Sequence, residues 1–270
     1  MTPAPVWLNG ALVAADDATV PALDHGITVG DGVFETLRVY AGVPFAVDRH
    51  LDRLLRSGAG LGLELPDRAL LARAIDEVAA AGGLPDCRLR LTVTAGDGPL
   101  GSGRTAGACT VVAAVAPLDP VAPTTEVITV PWVRNERSPL VGLKTTSYAE
   151  NVVALARAKE AGASEALFAN TRDELCEGTG TNVFVVVGGE LLTPPLSSGC
   201  LAGITREVVL ACTDAVERDL PFTVLAEADE VFLTSSTREV QAVAGIDGRP
   251  VPSAPGPVTS AALAAFRAQL

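Results

Sequence analysis

The stretch PLDPVAPTTEV, residues 117–127, carries three prolines and no periodic apolar face. Proline fixes φ and removes a backbone donor, so such a run reads as a connection between folded parts rather than as an element of either. Helix-like and strand-like patterns mix on both sides of it. They show no regular βαβ spacing, and no G-x-G-x-x-G follows an early strand, which sets the chain apart from dinucleotide-binding folds. The expectation is an α/β (α+β) chain of two domains. A small α/β domain spans residues 1–118, an interdomain loop 119–126, and a larger α/β domain 127–270.

Local signals fill in the two parts. Asn9-Gly10 between the apolar runs of VWLNGALV predicts a hairpin, and Ala41-Gly42 a second one joining Thr36–Tyr40 to Pro44–Val47. Asp48 is expected to cap a helix with Leu51, Leu54 and Leu55 on one face, and Pro66–Ala81 to form another, closed by Gly82-Gly83. CRLRLTVTAG and ACTVVAAVAPL read as strands around the loop GDGPLGSGRTAG. After the linker the patterns predict a strand near Val127–Val133 and a helix over Ser147–Ala161. That helix offers Val152, Leu155 and Ala156 to the core. Strands follow at Ala163–Ala169, Leu175–Val187 and Leu191–Leu192, then a helix over Thr205–Val216. Strands at Glu230–Thr234 and Val240–Ile246 and a helix over Val258–Leu270 complete the chain.

Hydrophobic residues make up 48% of the 270 and charged residues 19%, which excludes a disordered chain. With aromatics at 4%, the core must be built from Ala, Val and Leu. The net charge of -12 disfavours nucleic acid and anionic membrane as partners, yet leaves room for a small anion in a local basic pocket. The five cysteines are scattered without C-x-x-C, and neither His25 nor His50 has a partner at metal-ligand spacing, so no metal site is expected. The start lacks a basic region followed by a long apolar run. No charge-free apolar stretch of about 20 residues occurs either, and the expected location is the cytoplasm.

Two of the 20 basic residues are lysines, Lys144 and Lys159, and the other 18 are arginines. Lys159 ends a helix, where the dipole and solvent account for it. Lys144, in GLKTTSY, follows an apolar segment and precedes a helix. Such a lysine serves as a solvated charge or, when desolvated, as a nucleophile for carbonyl chemistry. Gly203-Ile204-Thr205 opens a helix, and a helix start is a ready anion site. SSTRE, residues 235–239, offers a second turn with hydroxyls. Glu177, in CEGTGTN, is either a turn cap or a carboxylate for a protonated ring nitrogen, and Arg53 either a helix-surface charge or a phosphate contact.

Taken in order, GDGVFETLRVYAG, RHLDRL, LKTTSYAENVVALARAKEAGASEAL, ELCEGTGTNVFVV, LLTPP, LAGITRE, ADEVFLTSSTREV and GPVT resemble the fold-type IV pyridoxal-phosphate enzymes over residues 30–259. That family holds branched-chain and D-amino acid aminotransferases and 4-amino-4-deoxychorismate lyase. The resemblance implies two α/β domains with the cofactor, pyridoxal 5'-phosphate, in the cleft, and a homodimer. It makes Lys144 the lysine that bonds to the cofactor aldehyde and moves the proton, and Glu177 the partner of the pyridine nitrogen. Arg53, Ile204, Thr205 and Ser236 would hold the phosphate, and Tyr148 would lie at the cofactor edge.

The subfamily turns on GVFETLR, where Thr36 stands in place of the Gly or Val of the aminotransferases. A threonine there resembles the lyase, as a hydroxyl that meets substrate; it is also a residue strands favour. Arg104 resembles the lyase arginine near the substrate carboxylate. The expectation is thus a lyase that converts 4-amino-4-deoxychorismate to 4-aminobenzoate, a folate precursor, and pyruvate. The alternative is an aminotransferase of D-amino or branched-chain amino acids. Either way the substrate is a small amine bearing a carboxylate.

Overall fold

A computed structural model describes residues 4–105 and 107–270. Residues 1–3, which open the segment read above for a leader, and Ala106, in the loop that carries Arg104, lie outside the described residues. The chain divides into two units, residues 1–119 with Leu143–Tyr148, and residues 120–142 with Ala149–Leu270. It therefore passes back into the first unit for six residues, Leu143 to Tyr148, after crossing the proline-rich segment.

In the first unit, β1 (Val6–Leu8) and β2 (Ala11–Val13) form the expected hairpin, with Trp7 opposite Leu12 and positive φ at Asn9 and Gly10. A short helix, α1 (His25–Thr28), leads to β3 (Gly32–Tyr40), which turns at Ala41-Gly42 into β4 (Val43–Pro44). Two helices follow, α2 (Val47–Gly60) and α3 (Arg68–Gly82), then β5 (Cys87–Thr94) and β6 (Thr110–Pro117). Among the described residues these strands form one antiparallel sheet in the order β2-β1-β6-β5-β3-β4.

Helix α2 starts earlier than expected. Ala46, at φ 54, precedes it, and Asp48 sits inside the first turn, where its charge suits the helix dipole. Alternation along β3 turns Val33, Leu37 and Val39 to a core shared with Leu89 and Leu91 of β5, Leu51 and Leu54 of α2, and Leu71, Ile75 and Val78 of α3. Phe34, Thr36 and Arg38 occupy the opposite face, paired with Thr92, Arg90 and Arg88 of β5. Glu35 is the exception, a carboxylate in phase with the buried set.

Leu143–Tyr148 runs beside the start of β3. Phe34 N–H donates to Lys144 O (3.0 Å) and Thr146 N–H to Gly32 O (2.8 Å). Side chains reinforce this, with Thr146 Oγ1 donating to Gly30 O and the Lys144 N–H donating to Ser57 Oγ of α2.

The second unit contains β7 (Thr124–Arg134), α4 (Ala149–Glu160), β8 (Glu165–Asn170), β9 (Leu175–Gly178), β10 (Asn182–Val187) and β11 (Glu190–Thr193). After these come α5 (Ile204–Cys212), β12 (Val216–Glu217), β13 (Glu230–Ser235), β14 (Glu239–Ile246), β15 (Arg249–Pro250) and α6 (Pro257–Arg267). Among the described residues the sheet order is β12-β11-β10-β13-β14-β7-β8-β9, with β15 on β14. It is mixed: β7 is parallel to β8 and β14, whereas β10, β13 and β14 are antiparallel neighbours. Strand β8 is buried along its whole length, which explains why EALFAN shows no strict alternation. Phe184 and Phe232 stack at 4.8 Å on adjacent strands.

Two helices differ from expectation. Helix α4 buries Asn151, Ala154 and Ala158, while Val152 and Val153 are 65% and 54% exposed. Its small buried face lets it lie against β8, and the branched residues point elsewhere. Helix α5 stops at Cys212, because Thr213 turns extended and bonds its hydroxyl back to Val209 O; the chain then pairs with β11 as β12. No described helix is long and apolar enough to cross a membrane.

Candidate active site

Each unit gathers one set of groups. In the first, Lys144 is half-buried, with Nζ 3.3 Å from Tyr148 Oη and 4.4 Å from the centre of the Phe34 ring. Phe34 and Tyr148 meet edge to face at 5.0 Å. The spacing K-x-x-x-Y thus brings amine and phenol together before α4 begins. Arg90, the cross-strand neighbour of Thr36, places its guanidinium carbon 3.7 Å from the same Phe34 ring. Partial burial lowers the pKa of Arg90, and among the described residues it pairs with no carboxylate; its Nε bonds only Thr92 Oγ1, at 3.2 Å. A partly desolvated cation without a counter-charge, beside a lysine, is a place for an anion.

Arg53 is 5% exposed, so it is no helix-surface charge. It donates Nε and Nη2 to the Glu35 carboxylate at 2.8 and 2.6 Å, and His50 Nδ1 lies 2.7 Å from Glu35 Oε2. Burial pushes the Glu35 pKa up, but the charge and hydrogen bonds of Arg53 and the contact with His50 outweigh it and hold it at about 2. Burial also pushes His50 down, against the pull of Glu35. A neutral His50 then donates Nδ1–H.

Arg104 has other engagements. It grips Asp31 with two bonds (2.6 and 2.5 Å) and donates Nη1 to the carbonyls of Leu61 and Gly62. The Arg104 bonds keep the Asp31 carboxyl below its usual pKa, and His25 adds to the effect. His25 links Asp31 to the carbonyl of Pro99. Arg104 staples its loop to the end of α2 and borders a cavity of 520 Å³ with Asp31, Leu61 and Ser147. None of its hydrogen bonds reaches Lys144, Tyr148 or Thr36, and its charge is met within the chain.

In the second unit Glu177 lies on β9. Its Oε2 accepts the N–H of Leu201 at 2.9 Å, and its Oε1 is 3.2 Å from Arg134 Nε. Arg134 stands over Phe168 and bonds Asn151 Oδ1 of α4, whose amide in turn holds Thr179 O. The buried Glu165 carboxylate takes the N–H and hydroxyl of Thr179 and the hydroxyl of Thr181, fixing the turn after Glu177. A side chain on Gly178 would run into Thr181, which is why glycine stands there. Cys176 and Cys200 flank this region as free thiols; burial pushes Cys200 up to about 11 and Cys176 further. They are buried, inert thiols.

Asn182 joins Glu177's surroundings to two further groups. Its amide donates to Leu201 O, and its strand position faces Thr234 of β13. Gly203 opens α5 without a side-chain cap, and Ile204 and Thr205 of the first turn are buried. Uncapped first-turn N–H groups carry the positive end of the helix dipole. Thr234 Oγ1 is buried without a hydrogen-bond partner, two residues before the half-buried Ser236. An orphaned hydroxyl beside uncapped helix N–H groups fits an anionic group such as a phosphate, and a carboxylate held by donors fits a protonated ring nitrogen.

Sequence reasoning passed over Phe34, Glu35, Arg90, Arg134 and Glu165. Glu35 did leave a signal: it falls in phase with Val33, Leu37 and Val39, and H-x-x-R on α2 supplies its partners.

The family model for amino-transferase class IV matches residues 32–246. A putative branched-chain-amino-acid aminotransferase of Methanocaldococcus jannaschii is 35% identical over 90% of this chain and 88% of its own. A D-alanine aminotransferase of Bacillus licheniformis is 34% identical over 94% and 93%. An aminodeoxychorismate lyase of Bacillus subtilis is 29% identical over 95% and 91%. Among solved structures, the branched-chain aminotransferase of Thermoproteus uzoniensis with norvaline superposes with a TM-score of 0.92 at 31% identity, covering 98% of this chain and 94% of that one. The T.th. branched-chain amino acid aminotransferase with pyridoxamine 5'-phosphate gives 0.91 at 28%, covering 99% and 94%.

Fold and site together define a pyridoxal-phosphate enzyme of fold-type IV, acting by aminotransferase or lyase chemistry on small amino-acid-like substrates. The chain belongs to the class IV aminotransferase family.

Proposed function

We infer that the protein is an aminotransferase of small amino acids, whose substrate carboxylate is received by Arg90. The observation that carries this is the Phe34 ring, which Lys144 and Arg90 share at 4.4 and 3.7 Å while Arg104 is spent on Asp31. The relatives with aminotransferase names support it. Pyridoxal 5'-phosphate, when bound, supplies the electron sink that makes the hydrogen next to the amino group acidic. Lys144 would hold the cofactor through its amine and, once the substrate amine has taken that place and freed it, its Nζ would move that proton, with Tyr148 oriented against it. Glu177, set by Leu201 and Arg134, takes the protonated pyridine nitrogen. Arg53, the Ile204–Thr205 helix start and Ser236 are assigned to the phosphate.

One observation keeps the lyase as a second reading: Thr36 is half-buried on β3 directly across from Arg90, where its hydroxyl can meet the same substrate. Both readings make the protein a cytoplasmic homodimer. Family resemblance supports the dimer, and the five free thiols support the compartment.

The test is a paired assay of the cofactor-loaded protein. A panel of L- and D-amino acids is run with keto acids, and 4-amino-4-deoxychorismate is followed to 4-aminobenzoate. Rapid amino transfer with little 4-aminobenzoate is expected and gives the handedness as well. Rapid 4-aminobenzoate with little transfer would replace the aminotransferase reading by the lyase.

A further inference from the structure

Glu35 is fully buried on the core face of β3, between Val33 and Leu37. A carboxylate there is costly to desolvate, and an apolar side chain of similar volume would commonly serve stability as well or better. Its contacts show what it does instead. Glu35 grips the Nε–Nη2 edge of Arg53 side-on, and its Oε2 is also met by His50 Nδ1. His50 and Arg53 are one turn apart on α2, so one carboxylate locks both to the sheet. The guanidinium is planar, and two parallel bonds fix both its position and its plane. A neutral His50 adds a third bond to Glu35 without adding charge.

We propose that Glu35, steadied by His50, is a positioning residue that holds Arg53 oriented for the 5'-phosphate of the cofactor. This rests on the assignment of Arg53 to the phosphate made above. Glu35 touches no substrate in this scheme. It also places a negative charge near the phosphate, so it helps by orientation and opposes by charge. Removing it separates the two effects.

The full-length protein is loaded with pyridoxal 5'-phosphate or with pyridoxal, and the dissociation constants of both are measured for wild type, Arg53→Met, Glu35→Gln, Glu35→Asp and His50→Gln. The readout is the preference for the phosphorylated form, which a general loss of packing would not change. Glu35→Gln sets an amide N–H against the donors of Arg53 and His50, and Glu35→Asp pulls the carboxylate back from them. The expected loss of preference is roughly 30-fold for Arg53→Met and roughly tenfold for Glu35→Gln, the size of a charge-assisted hydrogen bond. His50→Gln should cost less than Glu35→Gln. If Arg53→Met loses the preference and both Glu35 variants keep or raise it, the positioning role is overturned and the phosphate assignment stands. An equal weakening of both cofactors by the Glu35 variants overturns it too, since that marks a structural residue. If Arg53→Met keeps the preference, the phosphate assignment falls and the inference with it. Should Glu35→Gln not fold, Glu35→Asp and His50→Gln decide between the same outcomes.

Discussion

Around Lys144 the groups that meet the proposed ligands are side chains: Tyr148, Phe34, Arg90 and Arg53, drawn from two strands, a helix and the returning segment. Around Glu177 much of the chemistry is backbone: the N–H of Leu201 and the uncapped start of α5 after Gly203. The first unit is therefore vulnerable to truncating a side chain. The second is vulnerable to adding one, because a Cβ on Gly203 would run into Asn182 Oδ1. Side-chain cations gather around Lys144, whereas around Glu177 one side-chain cation, Arg134, is joined by the partial charges of the first turn of α5.

The sharpest break is Lys144→Ala. Loss of its acid–base role alone should lower turnover by about 10²–10⁴-fold, read by single-turnover amino transfer, and cofactor should no longer survive borohydride treatment as a covalent adduct. A lesser loss would show that Lys144 is not the proton carrier.

Acid comes next, and tests the side-chain network of the first unit. The Glu35 pKa is lowered in the fold, from 4.5 to about 2, so its contribution is present above about 4.5 and is lost as pH falls toward 2. Its size is about 3 kcal/mol as an upper value. The depressed pKa of buried His50 works in the same direction, removing stability as pH falls below its usual range. Denaturant titrations of the wild type should show stability falling from pH 7 to pH 4 and falling further toward pH 2 as Glu35 is protonated; an unfolding free energy flat across that range would contradict it.

Arg90 and Arg104 sharpen the comparison within one unit. Arg90→Met should reduce kcat/KM for amino acids by about 10–100-fold, mostly through KM, with cofactor affinity kept. Arg104→Met should leave KM for the same substrates near wild type and lower stability by about 1 kcal/mol, because its bonds go to Asp31 and two carbonyls. The reverse pattern would restore Arg104 as the carboxylate ligand.

The smallest effect is expected for Gly203→Ala. Its φ of -69 suits alanine, so the cost comes from displacing Asn182 and its bond to Leu201, about 1 kcal/mol of stability. Its signature is weaker binding of pyridoxal 5'-phosphate than of pyridoxal, which a substitution at exposed Val152 should not produce.

Much of the architecture was legible in the sequence. Asn9-Gly10, the strands of β5 and β6 and the Gly83 end of α3 follow from local chemistry and stand where expected. Errors arose where partners distant in sequence decide. Helix α4 buries Asn151 rather than Val152 because Asn151 bridges Arg134 and Thr179, a polar role that no hydrophobic period encodes. Lys144 and Glu177 are proposed through resemblance, and the contacts of Arg104, with Asp31 and the end of α2, lie 42 or more positions away and leave no trace in its loop. Arg90 was passed over because an exposed strand arginine looks like a solvated charge until Phe34 and Lys144 are seen beside it.

The return of Leu143–Tyr148 to the first unit bears on how the polypeptide can be divided. A cut in the proline-rich segment would leave Lys144 on the downstream fragment, while the strand it borders, at Gly32 and Phe34, stays on the upstream one. The upstream fragment alone would bare the Phe34 N–H and the Gly32 carbonyl as a sticky edge. Mixing the two pieces would rebuild that edge only by threading six residues back into place. Split-protein complementation of this enzyme therefore reports on the lysine's own seat, not merely on the meeting of two folded bodies.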